Sequence, residues 1–187
     1  MQLKIYTMSK INKLAIFCGS KTGKNTLYAQ HATQLAYVLA ENNIELIYGG
    51  GKSGLMGVVA DTVMSKGGIV RGVIPQVLIN WEHQHENISE LLVVEDMHVR
   101  KRKLYELCDA AIILPGGFGT LDELFEILTW NQLSIHDKRI FVLNSGGFYN
   151  YLLNHMTQLE NEGFLYGKLD EVLTVINDPK EFQGYLL

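Results

Sequence analysis

The sequence predicts an α/β fold in which a mainly parallel sheet is covered by helices on both faces. Short apolar runs typical of buried parallel strands alternate with longer segments that have helical periodicity. Three of these strands are followed by a glycine-rich turn and then by a helix start, as in doubly wound folds. The 187 residues are 47% apolar and 19% charged, which is ordinary for a globular domain with a sizeable core.

The elements can be placed in chain order. A helix is expected over residues 25–42, because Leu27, Ala32, Leu35 and Val38 form an apolar stripe together with Leu39. No low-complexity run or linker divides the chain, so we expect a single Rossmann-like domain over residues 13–187 and a disordered extension over residues 1–12. Strands are expected near residues 13–18, 44–48, 69–74, 91–95, 109–114, 139–143 and 172–176.

A strand, a glycine turn and a helix start follow one another over residues 109–126. Gly116, Gly117 and Gly119 allow main-chain N–H groups to approach a ligand without a Cβ in the way. A helix that begins near Thr120 would point its unpaired N–H groups and its positive dipole end at the same place. These residues therefore predict a phosphate-binding turn.

Glu123 has two explanations. Thr120-x-x-Glu123 has the spacing of a capping box, in which both side chains only satisfy N–H groups at the helix end. A carboxylate beside a bound phosphate could instead serve catalysis. This stretch alone does not decide between the two.

A basic cluster at residues 100–103 opens another helix, although the helix dipole disfavours cations there. On that helix Arg100 shares a face with Leu104 and Leu107, so its guanidinium lies beside an apolar stripe. An anionic ligand would explain this placement, and a solvated basic surface is the alternative. The formal net charge of −4 argues against a nucleic-acid site.

Two further strands end in glycine turns, at residues 19–23 and 49–57. Neither turn matches a Walker motif, and the acidic residue that a dinucleotide fingerprint requires about 20 residues further on is absent. Because parallel strands bring their carboxyl ends to one edge of the sheet, the three turns together predict one ligand site.

Four motifs together resemble the "lonely guy" (LOG) family, the cytokinin riboside 5′-monophosphate phosphoribohydrolases. The resemblance runs from about Lys13 to near the C-terminus and implies hydrolysis of the N-glycosidic bond of a cytokinin or adenosine 5′-monophosphate, giving free base and ribose 5-phosphate. Members often carry the label lysine decarboxylase, but nothing here suggests a pyridoxal-phosphate site. The motifs are Cys18-Gly19-Ser20, Tyr48-Gly49-Gly50-Gly51-x-x-Gly54-Leu55-Met56-Gly57, Met97-His98-x-Arg100-Lys101 and Pro115-Gly116-Gly117-x-Gly119-Thr120-x-x-Glu123.

The resemblance implies that Arg100 and Glu123 are the catalytic pair and that no metal or cofactor is needed. Lys21 departs from the second serine that usually follows Cys-Gly-Ser in the family. The implied substrate-binding residues are Gly19, Ser20, Gly50, Gly51, Glu82, Met97, Lys101, Gly116, Gly117, Phe118, Gly119, Thr120 and Thr129.

The chemistry suits this pair. Cleavage of a ribosyl–base bond develops positive charge on the sugar, and a nearby carboxylate such as Glu123 can stabilise that charge and direct a water molecule. Arg100 would either bind the phosphate or counter the charge of the leaving base, and both roles remain open.

The connection over residues 75–90 contains His83 and His85 among glutamates, but it lacks a third ligand of fixed spacing, so a mobile flap is favoured over a metal site. Cys18 and Cys108 have no CxxC spacing, which indicates reduced thiols in a cytoplasmic protein. No segment reads as a signal peptide or a membrane span.

Two other classes of function stay open. A non-catalytic nucleotide or cofactor carrier of the same fold would need the phosphate-binding turns but not the pair of Arg100 and Glu123. An interaction protein could use the helix over residues 120–134, whose Leu124, Phe125, Leu128 and Leu133 could pack on a partner, although core packing and homodimerisation explain these residues equally well. The family resemblance implies a homodimer that contacts its second copy through this part of the fold.

Overall fold

A computed structural model describes residues 10–79 and 84–186. Within these ranges seven strands form one sheet, and every pair of neighbouring strands is parallel. The predicted strands are confirmed, with bounds that differ by at most two residues. They are β1 Lys13–Phe17, β2 Glu45–Tyr48, β3 Val70–Pro75, β4 Glu90–Val94, β5 Ala110–Ile113, β6 Arg139–Leu143 and β7 Thr174–Ile176.

Helices connect most of the strands. The predicted helix over 25–42 is confirmed, and it begins where the Asn25 side chain accepts a hydrogen bond of 3.0 Å from the Leu27 N–H. The α-helices are α1 Thr26–Glu41, α2 Gly54–Ser65, α3 Met97–Leu107, α4 Phe118–Gln132, α5 Asn150–Asn161 and α6 Leu169–Val172. Short 3₁₀ segments lie at Gln76–Leu78, Ser145–Gly147 and Pro179–Tyr185.

The sheet is buried on both faces, as the apolar strands predict. In β1, Leu14 and Ile16 belong to the cluster that packs against α1 and α2, while Ala15 and Phe17 belong to the cluster that packs against α3 and α4. Alternate residues of one strand therefore serve opposite layers, which explains why the run is apolar without a break.

The strand order is β4-β3-β2-β1-β5-β6-β7. After β1 the chain builds outward in one direction through β4, and it then returns to the other side of β1 to add β5. Where the direction of strand addition reverses in this way, the loops on the two sides diverge and leave a crevice at the carboxyl ends of the strands. In this chain β1 and β5 flank that point, and the turns that follow them lie side by side there.

The expected N-terminal extension is described only in part. Ile11 is buried in the core, and the backbone N–H groups of Asn12 and Lys13 donate to the Asp109 carboxylate at 2.8 and 2.9 Å. Residues 1–9 lie outside the described ranges, and the domain boundary near residue 12 stays a prediction.

Candidate functional site

A cleft of about 280 Å³ opens at the carboxyl edge of the sheet, between the ends of β1 and β2 and the first turns of α3 and α4. Both predicted catalytic residues, Arg100 and Glu123, line it. Of the predicted substrate-binding residues, the cleft brings together Gly19, Ser20, Met97, Gly117, Phe118, Gly119 and Thr120.

The turns that follow β1 and β5 hold each other in place. The Gly19 N–H donates to the Pro115 carbonyl at 3.0 Å, and the Gly19 carbonyl accepts a hydrogen bond of 3.0 Å from the Leu55 N–H at the start of α2. Gly54 has a positive φ of 64°, and a Cβ there would overlap the backbone of Ser20. The first glycine turn is therefore fixed by contacts from two sides.

The predicted phosphate-binding turn runs directly into α4. Gly117 is the N-cap residue, with extended backbone and no side-chain capping bond, so the helix begins at Phe118. A Cβ on Gly116 would overlap the buried side chain of Thr120 in the first helical turn. The first residues of α4 line the cleft, so the unpaired N–H groups of its N-terminus lie at the cleft.

The capping-box explanation of Glu123 is wrong. A capping box would need Thr120 at the N-cap position, but that position belongs to Gly117 and Thr120 is the third residue of the helix. Glu123 thus lies in the second turn of α4, where it is half-buried and lines the cleft.

Arg100 is buried at 5% relative exposure, and its position is set by the sheet. Its Nε donates to the Val73 carbonyl at 3.1 Å, and its Nη2 donates to the Gly49 carbonyl at 2.9 Å. A Cβ on Gly49 would overlap Nη2, so a side chain here would displace the guanidinium. The guanidinium is therefore anchored across the carboxyl ends of β2 and β3.

A negatively charged side chain at the N-terminus of α3 offsets the unfavourable position of the basic cluster. The Asp96 side chain caps the helix by accepting a hydrogen bond of 2.8 Å from the Val99 N–H, and this bond holds the pKa of the Asp96 carboxyl below its usual value. The negative charge sits where the helix dipole is positive, which makes the cations behind it less unfavourable.

Cys18 lies at the floor of the cleft, directly after β1. Burial raises the pKa of its thiol, and the negative charge of Glu123 raises it further. The thiol is therefore neutral near pH 7 and unsuited to act as a nucleophile.

Lys101 does not reach the cleft lining, although it is next to Arg100 in sequence. Its Nζ lies 3.1 Å from Asp122 Oδ2 and 3.1 Å from Glu126 Oε1, and Tyr105 Oη donates to Glu126 Oε2 at 2.8 Å. Burial alone would lower the pKa of Lys101, but the two carboxylates outweigh it and raise the pKa. The lysine therefore joins α3 to α4 beside the two candidate catalytic residues.

Gly50 and Gly51 also lie outside the cleft lining. Gly50 has a φ of 80° and accepts a hydrogen bond of 2.9 Å from the His85 N–H, while Gly51 forms a β-bridge with Gln84. His85 is buried, with Nε2 at 2.9 Å from Asp61. These two glycines secure the connection that follows β3.

The other predicted positions are divided. Gly116 adjoins the cleft but does not line it, and exposed Thr129 donates its hydroxyl to the Phe125 carbonyl at 2.7 Å, further along α4. Glu82 lies outside the described residues, so its predicted contact with the substrate stays a prediction. Within the described ranges, no group of three or more His, Cys, Asp or Glu side chains is placed to hold a metal.

The prediction missed several residues of the lining. Cys18, Gly49 and Met56 stand in the quoted motifs, and Ile16 and Phe17 end β1, so those motifs and that strand end are the signals that could have found them. The missed residues are Ile16, Phe17, Cys18, Gly49, Met56, Leu78 and Asp122.

Solved structures share this architecture. A molybdenum cofactor binding protein from the phototrophic bacterium Rippkaea orientalis matches with a TM-score of 0.69 and 17% identity, covering 95% of this chain and 96% of that one. A Moco carrier protein from Chlamydomonas reinhardtii matches with a TM-score of 0.69 and 17% identity, covering 93% and 96%. At these identities the likeness shows a common fold only.

Sequence relatives are much closer. The chain is 42% identical over 183 residues to a cytokinin riboside 5′-monophosphate phosphoribohydrolase of Arabidopsis thaliana, covering 97% of this chain and 85% of the relative. It is 41% identical over 180 residues to a probable enzyme of the same name in Oryza sativa subsp. japonica, covering 96% and 74%. A family model described as "Possible lysine decarboxylase" matches residues 56–186. With that match over most of its length and relatives above 40% identity, the chain belongs to the LOG family, as its motifs predict.

Proposed function

We propose that this chain hydrolyses the N-glycosidic bond of a nucleoside 5′-monophosphate, releasing free base and ribose 5-phosphate. The observation that carries the proposal is that one cleft holds an open helix N-terminus, an anchored arginine and a carboxylate. The printed names of the relatives support a cytokinin riboside or adenosine 5′-monophosphate as substrate.

The phosphate would bind at the N-terminus of α4. A Cβ at Gly117 or Gly119 would meet no other described part of the chain within 4 Å, which leaves room for a ligand beside the backbone. The helix dipole and the unpaired N–H groups favour an anion there. Ser20 faces the same space from the turn after β1.

The sheet order favours a role for Arg100 on the base side. Its guanidinium is anchored after β2, whereas the phosphate-binding turn follows β5, and β1 lies between these strands. Two strand spacings correspond to about 10 Å. A nucleotide whose phosphate sits on α4 would therefore extend its ribose and base toward Arg100, which can counter negative charge on the leaving base.

Glu123 would act on the sugar. It lies one turn beyond the phosphate-binding N–H groups, so its carboxylate can stabilise the positive charge that develops on the ribose as the base departs. The same carboxylate can direct a water molecule to the anomeric carbon and accept its proton.

The test measures the release of free base by chromatography. Purified protein is incubated with AMP, other nucleoside monophosphates, isopentenyladenosine 5′-monophosphate and the unphosphorylated nucleosides. We expect base from monophosphates only, and we expect Glu123→Gln to lower kcat by about 10²- to 10³-fold or more, because the amide carries no charge.

Glu106→Gln is the matched control, since it makes the same change on α3 away from the cleft and should leave turnover unaltered. Near-normal turnover of Glu123→Gln would contradict the proposal. Nucleotide binding without base release by the unmodified chain would favour the carrier alternative.

We also propose a cytoplasmic homodimer with no nucleic-acid partner. The formal net charge of −4 gives no general attraction to nucleic acid. Cys18 and Cys108 are both free thiols, as expected in a reducing compartment. No helix in the described ranges is long and apolar enough to cross a membrane. Exposed Leu133 and Ile135, after the end of α4, support self-association.

A further inference from the structure

A second pocket, of about 370 Å³, lies beside the catalytic cleft. It shares Gly19, Ser20 and Gly117 with the cleft, so the two glycine turns form a common wall between them. A phosphate bound on this wall would have the cleft on one side and the second pocket on the other. The proposed substrate, a nucleoside monophosphate, uses only the cleft.

The second pocket has the composition of a site for a planar ring. Its walls include Leu55, Pro115 and the aromatic pair of Tyr28 and Phe148, whose ring centroids lie 5.4 Å apart at an interplanar angle of 76°. Small-molecule sites are typically apolar and aromatic with a few polar groups, and volumes from about 300 Å³ are usual. A nucleobase stacks well on such rings.

A cation stands at the rim of this pocket. Lys21 follows Ser20 in the first turn, is exposed and contributes to the pocket lining, but it does not line the catalytic cleft. A second phosphate, attached to the one on the shared wall, would emerge beside this ammonium group. The charge of Lys21 therefore complements a diphosphate better than a monophosphate.

We propose that the second pocket binds a nucleoside that is joined through a pyrophosphate to the nucleotide in the cleft. The chain would then accept 5′,5′-linked dinucleotides, with one base in the cleft and the other on Phe148. This inference rests on the proposed function for the position of the first phosphate.

Calorimetric titration of the Glu123→Gln variant tests the proposal without turnover. The probes are AMP, ADP and diadenosine 5′,5′-diphosphate. We expect the dinucleotide to bind at least about tenfold more tightly than AMP, from stacking of the second base. Phe148→Ala should remove this advantage, and Lys21→Ser should weaken ADP and the dinucleotide, while both leave the affinity for AMP unchanged.

Phe164→Ala is the matched control, because this exposed phenylalanine lines neither pocket. Lys21→Ser changes an exposed side chain and so remains informative if Phe148→Ala fails to fold. A dinucleotide that binds no better than AMP, or a Phe148→Ala variant that weakens AMP and dinucleotide equally, would overturn the proposal.

The two proposals fail separately. If the unmodified chain binds AMP but releases no base, the proposed hydrolysis is wrong, and the comparison of AMP with the dinucleotide still decides the present inference. If none of the three nucleotides binds, both are overturned.

Discussion

At Gly49 the space that a side chain would fill is taken by the guanidinium of Arg100. We expect Gly49→Ala to displace that group by about an ångström and to lower kcat/KM by about 10²-fold, since small misplacements of catalytic groups are costly. The added methyl should also lower the free energy of unfolding by about 1–3 kcal/mol through overpacking. Steady-state kinetics and urea unfolding measure the two effects.

Gly184→Ala serves as the control for this substitution, because a Cβ there would meet no other described part of the chain within 4 Å and φ is not positive. It should leave both activity and stability nearly unchanged. If Gly49→Ala kept full activity, the positioning of Arg100 by the strand ends would be irrelevant to the reaction.

Lys101 allows its predicted role in substrate binding to be separated from a bracing role. Its ammonium lies between Asp122 and Glu126, so we expect Lys101→Met and Glu126→Gln to be non-additive in the free energy of unfolding, by about 1 kcal/mol. A double-mutant cycle in urea measures this coupling. If Lys101 instead contacts the substrate directly, Lys101→Met should raise KM by the same factor in the presence and in the absence of Glu126→Gln.

At the scale of elements, α1 is joined to the segment after β6 by His31 Nδ1, which lies 2.9 Å from Ser145 Oγ. Burial lowers the pKa of His31 and outweighs the opposing effect of Asp178. The unfolded chain therefore binds the proton more readily than the folded chain. The contribution of His31 to the free energy of unfolding is retained above the ordinary pKa of about 6.5 and is lost as the pH falls below it.

We expect the free energy of unfolding to fall more steeply between about pH 7.5 and about pH 5 in the unmodified chain than in His31→Gln. Urea titrations across this range measure the difference. His155→Gln, which changes an exposed histidine, should keep the unmodified slope. Parallel curves for His31→Gln and the unmodified chain would show that His31 is not responsible.

The strands could be predicted well because a strand that is buried on both faces is a continuous apolar run, however its side chains pack. It predicted the start of α4 two residues late, since Gly117 caps the helix without a side-chain signal and Thr120 and Glu123 imitate a capping box. Arg100 and Lys101 look alike in a basic run, yet successive helical residues point about 100° apart. Only the contacts of α3, with the strand ends through Arg100 and with α4 through Lys101, separate their roles.

For the whole molecule, the exposed residues after α4 allow the expected self-association to be tested. Leu133 and Ile135 are 61% and 59% exposed and adjoin each other after α4. We expect light scattering to give the molar mass of two chains, and Leu133→Glu to give that of one, because a buried unpaired charge opposes an apolar interface. Val77→Glu, at an exposed apolar position elsewhere, is the control. A monomeric unmodified chain would contradict the expectation.

The motifs predicted that three turns would meet, but the sequence could not show which glycines touch a ligand and which touch protein. Gly49 was passed over and Gly50 chosen, although the first lines the cleft and the second supports the connection after β3. The difference depends on which side of the turn each Cα faces, and strand packing decides that. The motifs therefore predict which turns meet at the site, and the packing of the strands determines which of their residues line it.

The central place of β1 also determines when this site comes into existence. During synthesis β1 can pair with β2 soon after both have been made. The other edge of β1 stays unpaired until β5 has been made, after β3, β4 and α3. An open, apolar strand edge is a template for pairing with other chains. The cleft needs the ends of both β1 and β5, so no ligand can stabilise the growing chain while that edge is exposed.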